Sequence, residues 1–516
     1  MWLVIHILTT RMGYTLFIAY DIKNGIKYAK LCVSKRIGNG ISKNYTNLGR
    51  VLDEERGIYS NRERGVFTYD LESGAYGSAP ADFSPPSRSR KESLVLDFGD
   101  VFFLDQFING NGLIAPISAV GYGNLDTLMA MVCFYALCPL ANTHALSWWE
   151  GSYARMLYPG ASLSSQRVSD FLAAIGDEGS QREFFKEYFK MLGMAEVDAG
   201  NAENILVDST GLPNSIHLPL TALRSQDGEV SKETRLICVV QQNTGLPLYF
   251  RYCPGNMIDT STLIRTLGEL KAQGVNVKFA ILDAGYYTSD NIQDLFARKI
   301  SFVTRLKPNL VLYKDLLEEH LGSLEAKENL VEYNGRHVYL KHAKVQLDGH
   351  NAHAYIGLDI EQRSLGARKT FQRAKDKNMD TGQVYDEINK KSIFILVSSR
   401  RIAISKVLPL YYTRQQIEQM FDIGKNYAGL LPLRVQTEEA LRGHLLLTFI
   451  VAVVIKKLQD ALLETAYNPI SLLLNLRNQK CKVFDDRIVT QEAFKKAKDC
   501  YKLFKIKCPE IIPRKQ

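Results

Sequence analysis

The sequence predicts an α/β fold in which helices flank a mixed β-sheet, preceded by a small β unit and a helical region. From residue 203 onward, strand patterns and helix patterns follow one another in the order β-β-β-α-β-α-β. The composition predicts a folded chain, because 46% of its 516 residues are hydrophobic and 23% are charged. Low-complexity, collagen-like and fully disordered architectures are therefore excluded.

The N-terminal part divides into three predicted regions. Residues 1–71 form a β unit of short strands, residues 72–95 a linker rich in Gly, Ser and Pro, and residues 96–200 a helical region. We expect residues 1–11 to be either an extension from an upstream start codon, with Met12 as the alternative start, or a strand.

The helical region carries the pattern of several short helices. They are predicted at residues 124–137, 143–156, 164–176 and 181–192. Short helices joined by tight turns suit a helix-turn-helix DNA reader and a plain helical bundle almost equally. We expect this region to bind DNA.

The sheet itself is predicted in two parts, residues 201–310 and 396–470, separated by a β-rich insertion over residues 311–395. The first part holds the strands ENILVDST and VKFAILDAG, and the second of these is apolar enough to be a buried parallel strand. The second part is predicted to begin with a long helix from about residue 408 to residue 427.

Charge favours a polyanionic partner only weakly over the whole chain, since 64 Lys and Arg stand against 55 Asp and Glu, a net of +9. The excess is concentrated at the end. Residues 480–516 hold 11 Lys and Arg against 5 acids, a net of +6. We assign residues 471–516 to a basic C-terminal region.

Cysteine and histidine spacing excludes several classes of site. The eight cysteines form no CxxC pair, so a zinc ribbon and a disulfide scaffold are not expected. The nine histidines are scattered and form no HExxH motif. The longest strongly apolar run, residues 445–455, is far shorter than the ~20 residues that span a bilayer, and it predicts a buried helix.

Two aspartates follow apolar strand segments. Asp208 is predicted to end the first strand, in LVDSTG, and Asp283 to end the fourth strand, in ILDAGYY. Because the carboxyl ends of parallel strands meet at one edge of a sheet, we expect these two carboxylates to face one crevice. A single aspartate at such a position is usually a turn former or a helix cap, so the pair is more informative than either alone.

A third carboxylate lies on the predicted helix after residue 408. At 100° per residue, Tyr411, Arg414, Glu418 and Lys425 share an arc of about 60° at the border of the apolar face. This stripe can look into the crevice at the end of the sheet. The alternative is a solvated helix face with ordinary ion pairs.

These motifs resemble a known family. The spacing Tyr411-x2-Arg414-x3-Glu418-x6-Lys425 resembles the YREK signature of cut-and-paste DDE transposases of bacterial insertion sequences. The contexts LVDSTG and ILDAGYY resemble those of the family's first and second aspartates, and DFGDVFFLDQFINGNGL resembles the segment before its helical region. The resemblance extends over residues 95–465.

The resemblance implies an RNase H-like core with an acidic triad of Asp208, Asp283 and Glu418. In this family the triad holds two Mg²⁺ ions, with Mn²⁺ as a substitute. Carboxylates are the ligands that hard cations prefer. The implied reaction is hydrolysis at the element's ends, followed by attack of the freed 3′-hydroxyl on target DNA.

The resemblance also implies DNA contacts and partners. Tyr411, Arg414 and Lys425 are expected to grip phosphates near the cleaved end. Arg442 and His444, in LRGHLLL, resemble a segment that recurs after the catalytic helix, although His444 is alternatively a satisfied core histidine. The implied partners are double-stranded DNA with terminal inverted repeats, target DNA and a second copy of the chain, with no membrane. The implied location is the bacterial cytoplasm, on the nucleoid when DNA is bound.

Two alternatives remain open at this point. Another RNase H-like nuclease is not expected to carry the YREK helix, and a domesticated, catalytically silent DNA-binding protein is expected to have lost an acid. Some relatives place a Trp in the β insertion to stack on a flipped base, and this insertion contains none. Tyr333, Tyr339 or Tyr355 would have to replace it, so a hairpin intermediate is left open.

Overall fold

The computed structural model describes most of the chain, and the described ranges are residues 4–10, 14–23, 26–37, 40–80, 83, 94–194, 203–214, 216, 218–226, 229–257, 262–377, 380–426 and 428–514. The chain divides into two compact units, Met1–Glu92 and Ser93–Gln516.

The N-terminal unit is an antiparallel sheet whose seven described strands lie in chain order. They are β1 (Val4–Thr10), β2 (Tyr14–Lys23), β3 (Ile26–Ile37), β4 (Gly40–Asp53), β5 (Ile58–Asn61), β6 (Gly65–Tyr69) and β7 (Tyr76–Ser78). The prediction of short strands is wrong for β3 and β4, which run for 12 and 14 residues. Residues 4–10 form a strand, which is one of the two expectations for residues 1–11. Tyr59, Phe67 and Tyr69 pack in the core of this unit.

The C-terminal unit begins with one strand and a set of helices. They are β8 (Leu94–Asp97), α1 (Gly99–Gly110), α2 (Ile114–Ala119), α3 (Leu125–Leu137), α4 (Ala145–Gly151), α5 (Ala154–Leu157), α6 (Ser165–Ile175) and α7 (Glu178–Met191). The helices predicted at 124–137 and 164–176 are observed as α3 and α6. The helix predicted at 143–156 is broken into α4 and α5, because the backbone N–H of Tyr153 bonds the carbonyl of Asp97 at 2.7 Å.

A mixed sheet follows. Its first elements are β9 (Glu203–Pro213), β10 (Ala222–Gln226), β11 (Glu229–Gln241), β12 (Pro247–Pro254), α8 (Leu263–Ala272), β13 (Val277–Leu282), α9 (Ser289–Ala297) and β14 (Ser301–Arg305). Strand β9 is antiparallel to β11 and parallel to β13, which is parallel to β14. Strands β10 and β12 both pair with β11. The predicted α/β class, a mixed sheet with flanking helices, is confirmed.

The segment predicted as a β-rich insertion extends the same sheet and also contributes helices. Its elements are α10 (Val311–Leu324), β15 (Leu330–Tyr333), β16 (Arg336–Leu347), β17 (His350–Asp359), α11 (Ile360–Lys377), α12 (Thr381–Ser392) and β18 (Ile393–Ser398). Beyond β14 the strand order is β18, β17, β16, β15. Strand β18 is buried along its whole length, as expected of an apolar strand covered on both faces.

The rest of the chain is mainly helical. Its elements are α13 (Ile404–Tyr412), α14 (Gln415–Asn426), α15 (Glu438–Ala461), α16 (Pro469–Arg477), β19 (Lys480–Val483), β20 (Arg487–Thr490), α17 (Lys495–Leu503) and β21 (Ile511–Pro513). The prediction of one long helix over 408–427 is wrong, because α13 and α14 are separate. At the break the Thr413 hydroxyl donates to the Leu410 carbonyl at 2.7 Å, and the N–H groups of Thr413 and Arg414 bond carbonyls three residues back. Such tight turns interrupt an α-helix.

The basic C-terminal residues fold onto the beginning of this unit. Strands β19, β20 and β21 join β8 in a four-stranded sheet. Arg477 forms an ion pair with Asp100 at 2.6 Å, and Lys480 pairs with Asp97. Part of the positive charge of this region is therefore compensated within the fold.

The predicted buried helix over 445–455 is observed as the central part of α15. Over the described ranges, no single helix has the length and apolarity to cross a membrane. One pair of helices, Leu125–Leu137 with Asn142–Gly151, passes that test jointly but is bent by 115°.

Candidate active site

Asp208 and Asp283 lie on neighbouring strands. Val207 of β9 pairs with Leu282 of β13, so each aspartate directly follows the last paired position of its strand with the other. The prediction that the first strand ends at Asp208 is wrong, since β9 continues to Pro213. It continues because its other edge still pairs with β11.

Arg414 connects the two aspartates. Its Nη2 lies 2.8 Å from Oδ2 of Asp208, and its Nη1 lies 2.9 Å from Oδ1 of Asp283. Nη1 also donates to the Tyr411 hydroxyl at 3.2 Å. The exposed fractions of the side chains are 15% for Asp208, 18% for Arg414 and 40% for Asp283. Carboxylates from distant parts of the sequence thus meet at one guanidinium on the rim of the sheet.

Burial is the main cause of the pKa shifts of Asp208 and Tyr411. It raises the pKa of Asp208 above its ordinary range, while the nearby Arg414 opposes the rise and Asp283 adds to it. Burial also raises the pKa of Tyr411 to about 12. For Arg414, burial lowers the pKa, but Tyr411 and the two aspartates raise it by more, so the guanidinium stays charged.

Lys425 contacts the same strand as Arg414. Its Nζ donates to Oγ1 of Thr210 at 2.9 Å. Asp208 and Thr210 are two residues apart on β9 and therefore point to the same face of the sheet. Helix α14 consequently lies along β9. Thr210 was not among the predicted site residues, although strand alternation in LVDSTG places it on the same face as Asp208.

Glu418 stands apart from the aspartate pair. It lies in the first turn of α14, is exposed, and has no hydrogen bond or ion pair with any residue that the structure describes. Within the described ranges no three His, Cys, Asp or Glu residues are grouped so that they could hold a metal ion. The structure brings Asp208 and Asp283 together and leaves Glu418 outside their cluster.

The predicted polar stripe is changed by the helix break. Tyr411 belongs to α13 and is buried, whereas Arg414 lies in the turn before α14. The angular count through all four residues assumed one continuous helix, so it does not apply across the break. Within α14, Glu418 and Lys425 are seven residues apart and do share a face.

The guanidinium of Arg442 is ion-paired with two carboxylates. On α15, it forms ion pairs with Glu178 and Glu439, each at 3.6 Å, and its side chain is 17% exposed. Glu178 is the first residue of α7. The surroundings of Arg442 are thus an ion-pair cluster between α15 and α7.

His444 lies in the core of the C-terminal unit, 4% exposed. Its Nε2 lies 3.2 Å from the Leu430 carbonyl and its Nδ1 lies 2.9 Å from the Tyr135 hydroxyl. Because a carbonyl oxygen only accepts, Nε2 carries the proton and Nδ1 accepts from Tyr135. Burial lowers the pKa of His444 to about 4. These surroundings are those of the alternative expectation for His444, a core histidine whose hydrogen bonds are satisfied.

The three tyrosines of the insertion differ in their surroundings. Tyr355 is fully buried, and its hydroxyl donates to the Ile402 carbonyl at 2.7 Å. Tyr339 is half-buried on β16. Tyr333 stacks on Tyr412 of α13, with ring centroids 5.3 Å apart and an angle of 17° between the ring planes. Of these three, Tyr333 contacts the last residue of the helix that precedes the YREK-like turn.

Comparison with known proteins identifies a domain within this chain. Residues 202–454 match the family described as the transposase DDE domain, and this segment contains all three predicted acids. A cryo-EM structure of a piggyBac transposase synaptic complex with hairpin DNA is similar with a TM-score of 0.38 and 9% identity, covering 73% of this chain and 79% of that chain. That similarity is too low to establish a shared mechanism. No curated protein matches the chain significantly. Residues 202–454 are therefore identified as a transposase DDE domain.

Proposed function

We propose that this protein is the transposase of a bacterial insertion sequence. It cuts the ends of its element by metal-dependent hydrolysis and joins the freed 3′-hydroxyls to target DNA. The observation that carries the proposal is the meeting of Asp208 and Asp283 at Arg414, a residue of the YREK-like signature. All three residues fall inside the segment that matches the transposase DDE domain.

Asp208, Asp283 and Glu418 form the proposed acidic triad. The two aspartates already face one positive group, the Arg414 guanidinium. Glu418 lies in the first turn of α14, four residues beyond Arg414. Since Glu418 has no partner among the described residues, no bond has to break before its side chain turns toward the aspartates.

This set of donors fits hard divalent cations. Mg²⁺ prefers carboxylate oxygens, and Mn²⁺ accepts the same ligands. Asp208 and Asp283 already bind one positively charged group together, so the same pair can bind a cation together. When bound, two such ions would activate the attacking oxygen and stabilise the leaving oxygen of the phosphodiester displacement. The residues that would hold them are Asp208, Asp283 and Glu418.

Tyr411, Arg414 and Lys425 are the proposed contacts to DNA phosphates near the cleaved bond. The forked guanidinium suits a pair of phosphate oxygens, and the ammonium of Lys425 acts as a point charge. The helical region and the basic C-terminal region would supply recognition of the inverted repeats, and two copies of the chain would pair the two ends. Phosphate contacts of this kind make DNA binding sensitive to salt.

The exposed position of Glu418 supports a second candidate function. A catalytically silent DNA-binding protein would need the fold and the basic surfaces but not an assembled triad. All three acids are nevertheless present in the chain, which favours the active transposase.

DNA cleavage tests the proposed function. The substrate is linear duplex DNA carrying the element's ends, identified as inverted repeats beside the gene, with Mg²⁺ added. We expect wild-type protein to nick the ends and the variants Asp208→Ala and Glu418→Gln to lose at least ~100-fold in rate, more than the loss of a residue that only supports a metal ligand. The matched control is Glu464→Gln, which changes another exposed glutamate and should cleave like wild type.

Two results would contradict the proposal. Unchanged cleavage by both variants would remove the triad assignment. Binding of the ends by wild-type protein without any cleavage, in Mg²⁺ and in Mn²⁺, would favour the silent DNA-binding protein.

A further inference from the structure

We propose that Arg414 keeps the active site closed to metal ions until DNA is bound. In the resting protein its guanidinium takes the carboxylates that divalent cations would use, and its transfer to a DNA phosphate releases them. The inference rests on the proposed function, since it concerns regulation of the same Asp208 and Asp283 pair.

The contacts of Arg414 identify it as a stand-in for a cation. It binds one oxygen of each aspartate, at 2.8 and 2.9 Å, which are distances typical of charge-assisted hydrogen bonds. Arg414 thereby compensates two carboxylates that would otherwise repel each other. The guanidinium of Arg414 thus compensates the charge of the two carboxylates, as a divalent ion would when bound at the site.

Arg414 and a metal ion cannot both hold these oxygens. Mg²⁺ coordinates carboxylate oxygens at about 2.0–2.1 Å and demands a near-octahedral shell. A guanidinium within 3 Å of the same atoms would overlap that shell and repel the ion. Metal binding therefore requires Arg414 to leave at least one of the two aspartates.

The resting position of Arg414 is incompletely satisfied. Its Nε is buried and has no hydrogen-bond partner in the described part of the chain. A buried donor without a partner destabilises the position it occupies, which reduces the penalty for moving the side chain. Arg414 is thus bound strongly enough to exclude a stray ion and is still able to exchange partners.

DNA offers Arg414 a replacement for the two aspartates. A phosphate presents two oxygens to the guanidinium fork and keeps its charge compensated. If the phosphate draws Arg414 away, the aspartates become free for cations, and by linkage metal ions strengthen DNA binding by the same factor. Hydrolysis would then be confined to the DNA-bound state, and free protein would hold metal weakly.

Metal affinity without DNA tests this inference. Mn²⁺ is titrated into the full-length protein, and the free ion is followed by its electron paramagnetic resonance signal. We expect Arg414→Gln to lower the Mn²⁺ dissociation constant at least threefold relative to wild type. Arg414→Lys keeps one charge but cannot span both aspartates, so its dissociation constant should lie between the two.

Control variants separate the effect of Arg414 from a general loss of charge. Arg400→Gln removes an exposed arginine that lies over the Phe279 ring, with 4.2 Å between the guanidinium carbon and the ring centroid. Its Mn²⁺ affinity should equal that of wild type. Thermal melting without metal shows whether each variant is folded. If Arg414→Gln does not fold, Arg414→Lys alone decides the test.

The outcomes distinguish the inference from the function on which it rests. Asp208→Asn and Asp283→Asn should weaken Mn²⁺ binding, and if neither does, the proposed metal site is wrong. If both weaken it while the Arg414 variants bind Mn²⁺ as wild type does, or more weakly, the site stands and the inference about Arg414 is overturned.

Discussion

The two halves of the candidate active site are built on different kinds of support. Asp208 and Asp283 are placed by paired strands of a buried sheet, where the register of β9 and β13 sets their separation. Arg414, Glu418 and Lys425 belong to a turn and a helix that follow a break in the chain. The strand half brings its two aspartates together, whereas the helix half presents Arg414 inward to the aspartates and Glu418 outward to solvent.

This difference indicates which half responds to ligands. Hydrogen bonds on both edges of β9 and the packed core hold the strand half, so moving an aspartate would disturb the sheet. The helix half packs on the core through Ile417, Met420 and Phe421. Its polar contacts to the strand half, those of Arg414 to the aspartates and of Lys425 to Thr210, are made by side chains. Side-chain contacts of this kind are exchanged more readily than ladder pairing. Ligand binding is therefore expected to act on α14.

The largest expected effect comes from the strand half. Asp283→Asn should reduce cleavage of end DNA by more than ~100-fold, because a direct metal ligand matters more than the supporting groups whose loss costs 10–100-fold. The matched change Asp290→Asn, in the exposed first turn of α9, should leave the rate unchanged. A cleavage assay under single-turnover conditions measures both. Equal rates for the two variants would mean that the strand half is not catalytic.

The next largest effect concerns the support of α14. His444 bonds the Leu430 carbonyl just beyond α14, and its pKa is lowered to about 4 by burial. Below about pH 6.5 the unfolded chain therefore binds a proton at His444 that the folded protein does not bind. The contribution of His444 to stability is full above that pH and falls as the pH drops toward 4. Relative to His444→Gln, wild type should lose about 2–3 kcal/mol of unfolding free energy between pH 7.5 and pH 4.5.

Urea unfolding at the two pH values measures this difference. The comparison of wild type with His444→Gln isolates this histidine from the other groups that titrate in the same range. Identical pH dependence of the two proteins would show that His444 is not held neutral in the core.

A smaller effect is expected at Lys425. Lys425→Met keeps the aliphatic stem but loses the bond to Thr210, which should lower the unfolding free energy by about 1 kcal/mol. If Lys425 moves to a DNA phosphate in the complex, the logarithmic salt dependence of DNA binding should also fall by about 1. Lys406→Met, an exposed lysine on α13, is the control, and a salt slope that changes equally in both would contradict a specific role for Lys425.

The smallest effect is expected for the stability of a Glu418 variant. Since Glu418 is exposed and has no partner in the described structure, Glu418→Gln should change the unfolding free energy by less than about 0.5 kcal/mol. Thermal or urea unfolding without metal measures this. A clearly larger loss would show that Glu418 has a partner in solution, and the contrast between the two halves would then disappear.

Sequence patterns anticipated much of the strand half. Period-two alternation and apolar runs predicted β9 and β13, and the resemblance then pointed to the aspartates that follow their paired positions. They did not predict that β9 runs on to Pro213. Its extra length depends on pairing with β11, which is a contact between segments distant in the sequence.

The helix half was anticipated in its residues but not in its geometry. Spacing identified Arg414, Glu418 and Lys425 as a group, and the family match covers all of them. The break at Thr413 was missed, because the helix pattern continues through it and the turn is made by local hydrogen bonds, among them the bond from the Thr413 hydroxyl to the Leu410 carbonyl. The orientation of Glu418 was therefore not predictable from the periodicity of the sequence.

The sequence by itself determined most of the order of strands and helices between β9 and β14. It also determined the presence of three acids, of which Glu418 lies in a YREK-like spacing, because periodicity and local propensity depend on neighbouring residues. Only the tertiary structure decided that Arg414, and not Glu418, contacts both Asp208 and Asp283, and that His444 is enclosed in the core. These outcomes depend on desolvation and on contacts between residues hundreds of positions apart, which no local pattern records.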